Sequence, residues 1–277
     1  MKIVSWNLNF GSRRKRSKLD FLKVLDDIGA DVLLAQEMFV PTECPPGQII
    51  NTDDYCKGKF GAFKYCLFNE IPTNRPKNNW NGSGKITPAD EQWGTAILSK
   101  EPLKEVELKF STAYPGTISV AKVNDICLIS MYGKLIHWND TTELYLSNLH
   151  RCISDLSTLL PQPFVGKNIR EKQGINHFVL AGDWNSSPQF GKFDKNFFER
   201  LFLFGLKDCM NNLSFTKENG LTVKGYTKTF FGQQANSDIQ DDWFFADDAL
   251  YGTLKKTAGT YEQINSVSDH FPIVAEF

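Results

Sequence analysis

Along the first stretch of the chain, apolar and polar positions change period twice. Residues 2–8 alternate with the two-residue period of a strand and end in Asn7, Asn9 and Gly11. Ser17 stands where a helix cap is expected, ahead of an apolar face of Phe21, Val24, Leu25 and Ile28 that Gly29 can close. From Asp31 to Ala35 the run Val32-Leu33-Leu34 is continuously apolar, as in a buried strand, and it ends at Gln36-Glu37. Strand, helix, strand in that order predicts an α/β layer.

The pattern then loosens. Residues 41–92 are rich in Pro, Gly, Asn and Lys and predict long loops around one or two strands, with a weak strand near Phe63–Phe68. Consecutive strands are predicted at Thr95–Leu98, Val106–Phe110, Ser119–Val123 and Ile126–Met131. A helix is predicted from about Thr142 to Leu160, with Leu149, Cys152, Ile153, Leu156 and Leu160 on one face. Phe178–Ala181 is a strand that runs into Gly182-Asp183-Trp184-Asn185, Phe197–Phe204 a helix, and Trp243–Ala246 and Phe271–Phe277 are closing strands. No repeat or linker divides the chain, so residues 1–277 are expected to form a single domain.

Composition narrows the function classes. With 41% hydrophobic and 23% charged residues, the chain carries enough apolar surface for a packed core. A formal charge of −1 argues against holding nucleic acid by bulk charge, so any such contact needs a local basic patch and a metal. Six cysteines without a Cys-x-x-Cys pair, and four histidines, argue against zinc. Cys127 and Cys152 lie in apolar runs and read as reduced core residues, whereas Cys44, Cys56 and Cys66 cluster where a disulfide is conceivable. The chain opens directly into a strand, with no leader-like segment and no apolar run long enough to span a bilayer; a cytoplasmic monomer without membrane insertion is the expectation.

Polar residues recur where strands end: Asn7, Asn9, Glu37, Tyr132, Asp183, Asn185, Asp242, Asp269 and His270. Strand ends on one edge of a sheet converge, so these residues can share one site. Carboxylates supply the hard oxygen ligands that Mg²⁺ takes, Asn offers a neutral donor to a phosphate oxygen or a water, and His beside a carboxylate can stay cationic. Taken singly, each is a common turn or surface residue.

Together they occur in "SWNLN" at 5–9, "LLAQE" at 33–37, "WGTAILS" at 93–99, "LAGDWNSSP" at 180–188, "DDWFFAD" at 241–247 and "SDHFPI" at 268–273. That series, spanning nearly the whole chain, resembles the endonuclease/exonuclease/phosphatase superfamily and, within it, the exonuclease III, apurinic endonuclease and deoxyribonuclease-like members. The resemblance implies a four-layer α/β/β/α sandwich, two packed mixed β-sheets with helices outside. It implies Glu37 as the principal ligand of Mg²⁺ or Mn²⁺, with Asp269 and Asn9 near the metal. It further implies Asp183 to orient or deprotonate the attacking water, Asn185 to hold the water or the phosphate, Asn7 to support the metal site or a phosphate oxygen, and His270, oriented by Asp242, to contact the scissile phosphate.

Two departures bear on the substrate. Tyr132 stands in "LISMYGKLI" where apurinic-type nucleases carry a Tyr, but no Asn follows it. Phosphatase and sphingomyelinase branches carry a His in that strand; here His137 comes five residues late. Tyr132 therefore favours a nuclease acting on DNA or RNA, the alternative being a phosphatase or phosphodiesterase for an inositol, lipid or other small phosphate ester. The basic run Arg13, Arg14, Lys15, Arg16 and Lys18 and the loop residue Trp80 are candidate contacts to phosphates and a base, although a solvated helix start and a Trp folded onto its own domain are the bland readings.

Overall fold

The computed structural model describes residues 1–9, 21–55, 59–71, 91–108, 115–133, 135–139, 142–161, 167–188, 190–212, 222–223, 226–227, 229, 240–259 and 267–277. The chain opens with β1 (Lys2–Asn7), α1 (Phe21–Ile28) and β2 (Val32–Pro41), and β2 lies parallel to β1, as the opening pattern predicts. The strand alternation explains the layering. Ile3 and Leu34 belong to one apolar cluster; Val4, Trp6, Leu33 and Ala35 belong to another that also takes Phe21 and Leu25 of α1. One face of this pair therefore meets the second sheet and the other is covered by the helix. Gly29, with φ 72°, ends α1 in the left-handed region that a glycine enters without steric cost.

There follow β3 (Ile49–Asn51), α2 (Thr52–Tyr55), β4 (Tyr65–Glu70) and β5 (Glu91–Ser99), then β6 (Lys104–Glu105), β7 (Ile118–Val123), β8 (Ile126–Met131), β9 (Leu135–Asn139) and β10 (Thr142–Ser147). Helices α3 (Leu149–Leu156) and α4 (Lys167–Gln173) lead to β11 (His177–Asp183), α5 (Lys192–Leu203), β12 (Leu206–Asp208), β13 (Thr222–Val223) and β14 (Tyr226–Thr227). The chain closes through β15 (Asp242–Asp247), α6 (Asp248–Tyr251), β16 (Lys256–Gly259) and β17 (Ile273–Glu276). One seven-stranded sheet has the order β16-β17-β1-β2-β5-β4-β3, and a six-stranded sheet the order β12-β15-β11-β8-β7-β6. Both are mixed: β1 with β2 and β8 with β11 run parallel, and the remaining pairs antiparallel.

The two sheets pack face to face, with Ile3, Leu34, Leu67 and Ile97 of the first against Ala121, Leu128, Val179 and Phe244 of the second in one buried cluster. On the far side of the second sheet, α5 sets Phe197 and Phe198 against Trp184, whose ring also stacks on Trp243 and Phe245 at centroid distances of 6.3 and 5.4 Å. Helix, sheet, sheet, helix is the four-layer sandwich.

Several expected elements are corrected. The helix expected over 142–160 begins only at Leu149. Residues 142–147 form β10, paired with β9 in a separate two-stranded hairpin that the sequence reading missed. Thr142-Glu-Leu-Tyr-Leu-Ser carries β-branched and alternating positions that suit a hairpin arm, and only 149–156 holds the helical spacing. The strand expected at 106–110 is the short β6 at 104–105; residues 106–108 lie outside it and 109–110 outside the described residues. Within 41–92, β3 and β4 are the one or two strands expected among the loops, with the short α2 between them as an unexpected addition, and residues 56–58 and 72–90 lie outside the described residues. Cys44 and Cys66 are buried thiols not bridged to one another, and Cys56 lies outside the described residues. Cys127 and Cys152 are core thiols, both pushed up to about 12 by burial. Among the described residues no helix is long and apolar enough to cross a membrane.

Gly116, just before β7, shows how tightly the sheets meet. Its φ is 77°, a Cβ there would lie 2.0 Å from the Glu70 carbonyl oxygen, and its own carbonyl accepts a hydrogen bond from Thr95 Oγ1 at 2.9 Å. Gly116→Ala is expected to destabilise the fold by about 2–4 kcal/mol through clash and backbone strain. A urea unfolding curve checks this, and an unchanged midpoint would contradict the close approach.

Candidate active site

Strand direction gathers the polar residues. β1 and β11 deliver their C-terminal ends, with Asn7 and Asp183, and β8 the following Tyr132, to one edge of the sandwich; β2 runs on to Pro41 rather than ending at Glu37 as expected, and brings Glu37 to that edge from its middle. β15 and β17 run antiparallel to β11 and β1, so their starts, with Asp242 and the preceding Asp269-His270, meet the same edge. Of the nine strand-end residues singled out in the sequence, all are described, and eight take part through their side chains in the hydrogen-bonded or electrostatic cluster given below. For Asn9, the contact is a backbone one. Arg13, Arg14, Lys15, Arg16, Lys18 and Trp80 lie outside the described residues.

The local backbone aims these groups. Four non-glycine residues among those described have positive φ, and three of them, Asn9, Glu37 and Asn185, are in this cluster. A left-handed residue other than Gly costs on the order of 1 kcal/mol or more, and such strain gathers at functional sites. Glu37 lies in a β-bulge, because the β2–β5 register shifts between Ala35 and Met38. The extra residue breaks the alternation and turns Glu37 to the edge of the sheet. Asn185 follows Asp183 in a tight turn in which its backbone N–H donates to Asp183 Oδ1 at 2.9 Å.

Side chains then link strand to strand. Asn7 Nδ2 donates to Asp183 Oδ2 at 2.7 Å, and Asn9 N–H fixes the other end of that amide by donating to Asn7 Oδ1 at 2.8 Å. Asn185 Nδ2 donates to Asp183 Oδ2 at 3.2 Å and to the Gly133 carbonyl at 3.1 Å. His270 sits between two carboxylates, Nδ1 at 2.8 Å from Asp242 Oδ2 and Nε2 at 3.9 Å from Asp183 Oδ2. Tyr132 Oη donates to Glu37 Oε1 at 2.7 Å, and the Trp93 ring meets Tyr132 edge-on at 6.3 Å.

Electrostatics set the protonation. Burial drives the Asp183 carboxyl well above the ordinary carboxylate range; His270 pulls it back, while Asp242 and Asp241 push it further up. Burial alone would lower the His270 imidazolium, but Asp242 and Asp183 outweigh it and hold it well above its ordinary value. Burial also raises Glu37, with Tyr132 and His270 opposing and the Asp269 charge adding to the rise. The Tyr132 phenol, buried and facing Glu37 and Asp183, is raised well above its usual range and stays protonated. The cluster is therefore a carboxyl poised to accept a proton beside an imidazolium that keeps its own.

Supporting residues that the sequence did not single out as candidates complete the site. Thr229 Oγ1 accepts from the backbone N–H groups of Asp241 and Asp242 at 3.0 and 3.1 Å, and its carbonyl accepts from Phe271 N–H at 3.1 Å. Ser268 Oγ donates to the Asn7 carbonyl at 2.7 Å and accepts from His270 N–H at 3.0 Å; Trp6 Nε1 donates to the His270 carbonyl at 2.9 Å. Asp241, pushed up to about 7 by burial and by Asp242, adds a further acid. Gly133 has no room for a side chain, because a Cβ would lie 1.8 Å from the Trp184 carbonyl oxygen. Ser268 stands in a quoted motif; Thr229 does not, and nothing local marks it.

Two groups of ligand atoms could hold a cation. Asp183, Asp242 and His270 offer atoms within 4.8 Å of one another. Their geometry is that of a closed ion pair, and an ion among them would have to break the 2.8 Å His270–Asp242 contact. Glu37 and Asp269 are different: each is partly exposed, their charges repel, and Asp269 Oδ1 is buried with no hydrogen-bond partner among the described residues. Two hard oxygen donors in that state fit a divalent ion with retained waters.

Comparison with known proteins gives the same family. A family model described as the Endonuclease/Exonuclease/phosphatase family matches residues 4–270. Similar solved structures include an AP endonuclease from Archaeoglobus fulgidus (17% identity, TM-score 0.62) and a 3′-5′ exonuclease from Neisseria meningitidis (16% identity, TM-score 0.61), each covering 100% of this chain and 99% of the other. A Neisseria 3′ phosphatase bound to a product DNA hairpin is similar over the same shares (17% identity, TM-score 0.60). Among curated proteins nothing matches the chain. At these identities the structural likeness shows the fold.

The cluster makes a spectroscopic prediction. Asp242→Asn removes the carboxylate that most raises the His270 pKa, so the imidazole should titrate at lower pH than in the wild type, as read by ¹⁵N NMR. An unmoved titration would mean that Asp242 does not set the charge on His270. The folded cluster holds protons on Asp183 and His270 more tightly than an unfolded chain would. Its contribution to stability is therefore present on the acid side and lost as pH rises through the raised folded values.

Proposed function

The chain belongs to the endonuclease/exonuclease/phosphatase family, and on that premise we propose that residues 1–277 form one catalytic domain that hydrolyses nucleic-acid phosphodiester bonds with a divalent metal, Mg²⁺ or Mn²⁺. The observation that carries this reading is the buried chain Asn7–Asp183–His270–Asp242, set beside the Glu37–Tyr132 pair and Asp269.

Each group has a chemical task. Asp183, its carboxyl raised by burial, takes the proton of the attacking water as the new P–O bond forms. Asn7 and Asn185 hold Asp183 in place by donating to its Oδ2, and Asn185 is partly exposed, so it can also reach the water or a phosphate oxygen. His270, kept cationic by Asp242, stabilises the charge that builds on the phosphate oxygens. The ester P–O bond breaks, and the leaving oxygen departs with its electron pair and takes a proton from water. Glu37 and Asp269 would hold the metal, with Tyr132 orienting Glu37 and Asn9 nearby; the ion would supply Lewis acidity to the phosphate.

Tyr132 beside Glu37 supports a nuclease, because it stands where apurinic-type members carry a Tyr. The Archaeoglobus protein is named an AP endonuclease, and the Neisseria 3′ phosphatase is bound to a product DNA hairpin, which supports a nucleic-acid substrate. Arg13, Arg14 and Arg16 begin six residues after the end of β1 and are assigned to substrate phosphates, with Trp80 as a base contact.

The test is a panel of duplex, abasic duplex, single-stranded DNA, RNA, 3′-phosphorylated DNA, inositol phosphates and sphingomyelin, with Mg²⁺ or Mn²⁺ and with a chelator. Cleavage of a nucleic acid that stops on chelation is expected. Turnover of inositol or lipid phosphate alone would replace the nuclease reading with the small-ester alternative. Asp183→Asn and His270→Ala should each slow turnover by about two orders of magnitude or more. Glu37→Gln should raise the metal concentration needed for half-maximal rate, and an unchanged requirement would put the ligand elsewhere.

A further inference from the structure

Phe190 is a large apolar side chain that the fold leaves in water. It is 47% exposed, and it stands in the loop that leaves the catalytic turn, five residues after Asn185. Five residues span at most about 17 Å, so Phe190 lies within that reach of the site. The described residues around it are anchored. Ser186 Oγ donates to Asp194 Oδ1 at 2.6 Å, the Ser186 carbonyl accepts from Trp243 Nε1 at 2.9 Å, and Phe190 N–H closes a turn onto the Ser187 carbonyl at 2.9 Å. The other large apolar residues exposed nearby have different surroundings. Phe193 has the His150 ring at 4.2 Å, and Phe202 lies 5.8 Å from Phe245. No ring among the described residues lies against Phe190. A Cβ built on the adjoining Gly191 meets nothing within 4 Å, so the chain next to Phe190 is not packed over on that side. Next along the chain are Lys192 and Lys195, both exposed, whereas the acidic Asp194 is taken up by Ser186.

We propose that Phe190 is a stacking platform for a nucleobase of the substrate strand, with Lys192 placed for the neighbouring backbone phosphate. The inference rests on the nuclease reading above and extends it to single-stranded or locally unpaired nucleic acid, because a base must leave its own stack to meet an aromatic face. An exposed ring on a pinned loop loses little freedom on binding, which favours stacking over an adaptable contact. Lys192 adds a salt-sensitive, sequence-independent attraction.

The experiment compares wild type, Phe190→Ala and Phe190→Trp. Binding of a single-stranded oligonucleotide carrying 2-aminopurine is followed by fluorescence, and turnover of bis(p-nitrophenyl) phosphate is measured in parallel. Phe190→Ala should weaken oligonucleotide binding about five- to tenfold, the scale of one lost base stack, and should abolish the quenching. Phe190→Trp should restore both, and the small ester should be turned over at the wild-type rate by all three proteins. Equal binding by Phe190→Ala and wild type overturns the stacking role, and equal loss on oligonucleotide and small ester makes Phe190 a structural residue. A wild type that turns over the small ester and binds no oligonucleotide overturns the nuclease reading itself.

Discussion

The site exists because the two sheets are stitched together by hydrogen bonds that cross their interface. Gln36, fully buried next to Glu37, sends Nε2 to Ser130 Oγ at 3.0 Å, and Ser130 Oγ in turn donates to the Ala35 carbonyl at 3.0 Å. Farther along, Thr95 and Ser119 share a hydroxyl contact of 2.8 Å, and Asn69 Nδ2 reaches Ser119 Oγ at 3.0 Å. An apolar interface alone would let one sheet slide over the other at small cost, since hydrophobic contact is not directional. Buried polar pairs are costly to break, so they fix the offset between the sheets. With that offset set, Glu37 and Asn7 of one sheet can meet Tyr132 and Asp183 of the other at hydrogen-bonding distance.

The edge that carries the candidate site departs from what a purely stabilising design would choose. It buries three carboxylates around one imidazole, places three non-glycine residues in the left-handed region and leaves an oxygen of Asp269 unpartnered among the described residues. Each feature costs stability, and features of this kind concentrate at functional sites. The large apolar layers on either side offset that cost: Trp184, Phe197, Phe198, Trp243 and Phe245 form one aromatic stack directly behind Asp183 and Asn185.

The sequence was most legible where the signal was local. The alternation of residues 2–8, the helical face through Phe21 and Leu25 and the apolar run at 32–34 all reappear as β1, α1 and β2, because each element buries one face against a neighbour close in sequence. The strand-end carboxylates and amides were legible as a set, since parallel strands deliver their ends to one edge. The β9–β10 hairpin was not, because the helical spacing of Leu149 to Leu156 extends readily backwards over Thr142–Ser147 when pairing is invisible. Thr229 was out of reach for another reason: it serves the backbone of Asp241 and Asp242, a contact no side-chain pattern records. The bulge that turns Glu37 outward depends on register with β5, again a property of two strands rather than one.

The pairing of β1 with β17 has a kinetic side. Trp6 and the Asn7 carbonyl are bonded to His270 and Ser268 across sequence separations of 264 and 261 residues. Contacts that close so long a loop form late and slowly, after more local structure has paid the entropy of closure. A nascent chain can therefore bury most of both sheets and still lack an assembled centre until its final strand docks. Any fragment ending before Asp269 lacks the His270 imidazole and the strand that pairs with β1, so the candidate site is complete only once that strand has docked.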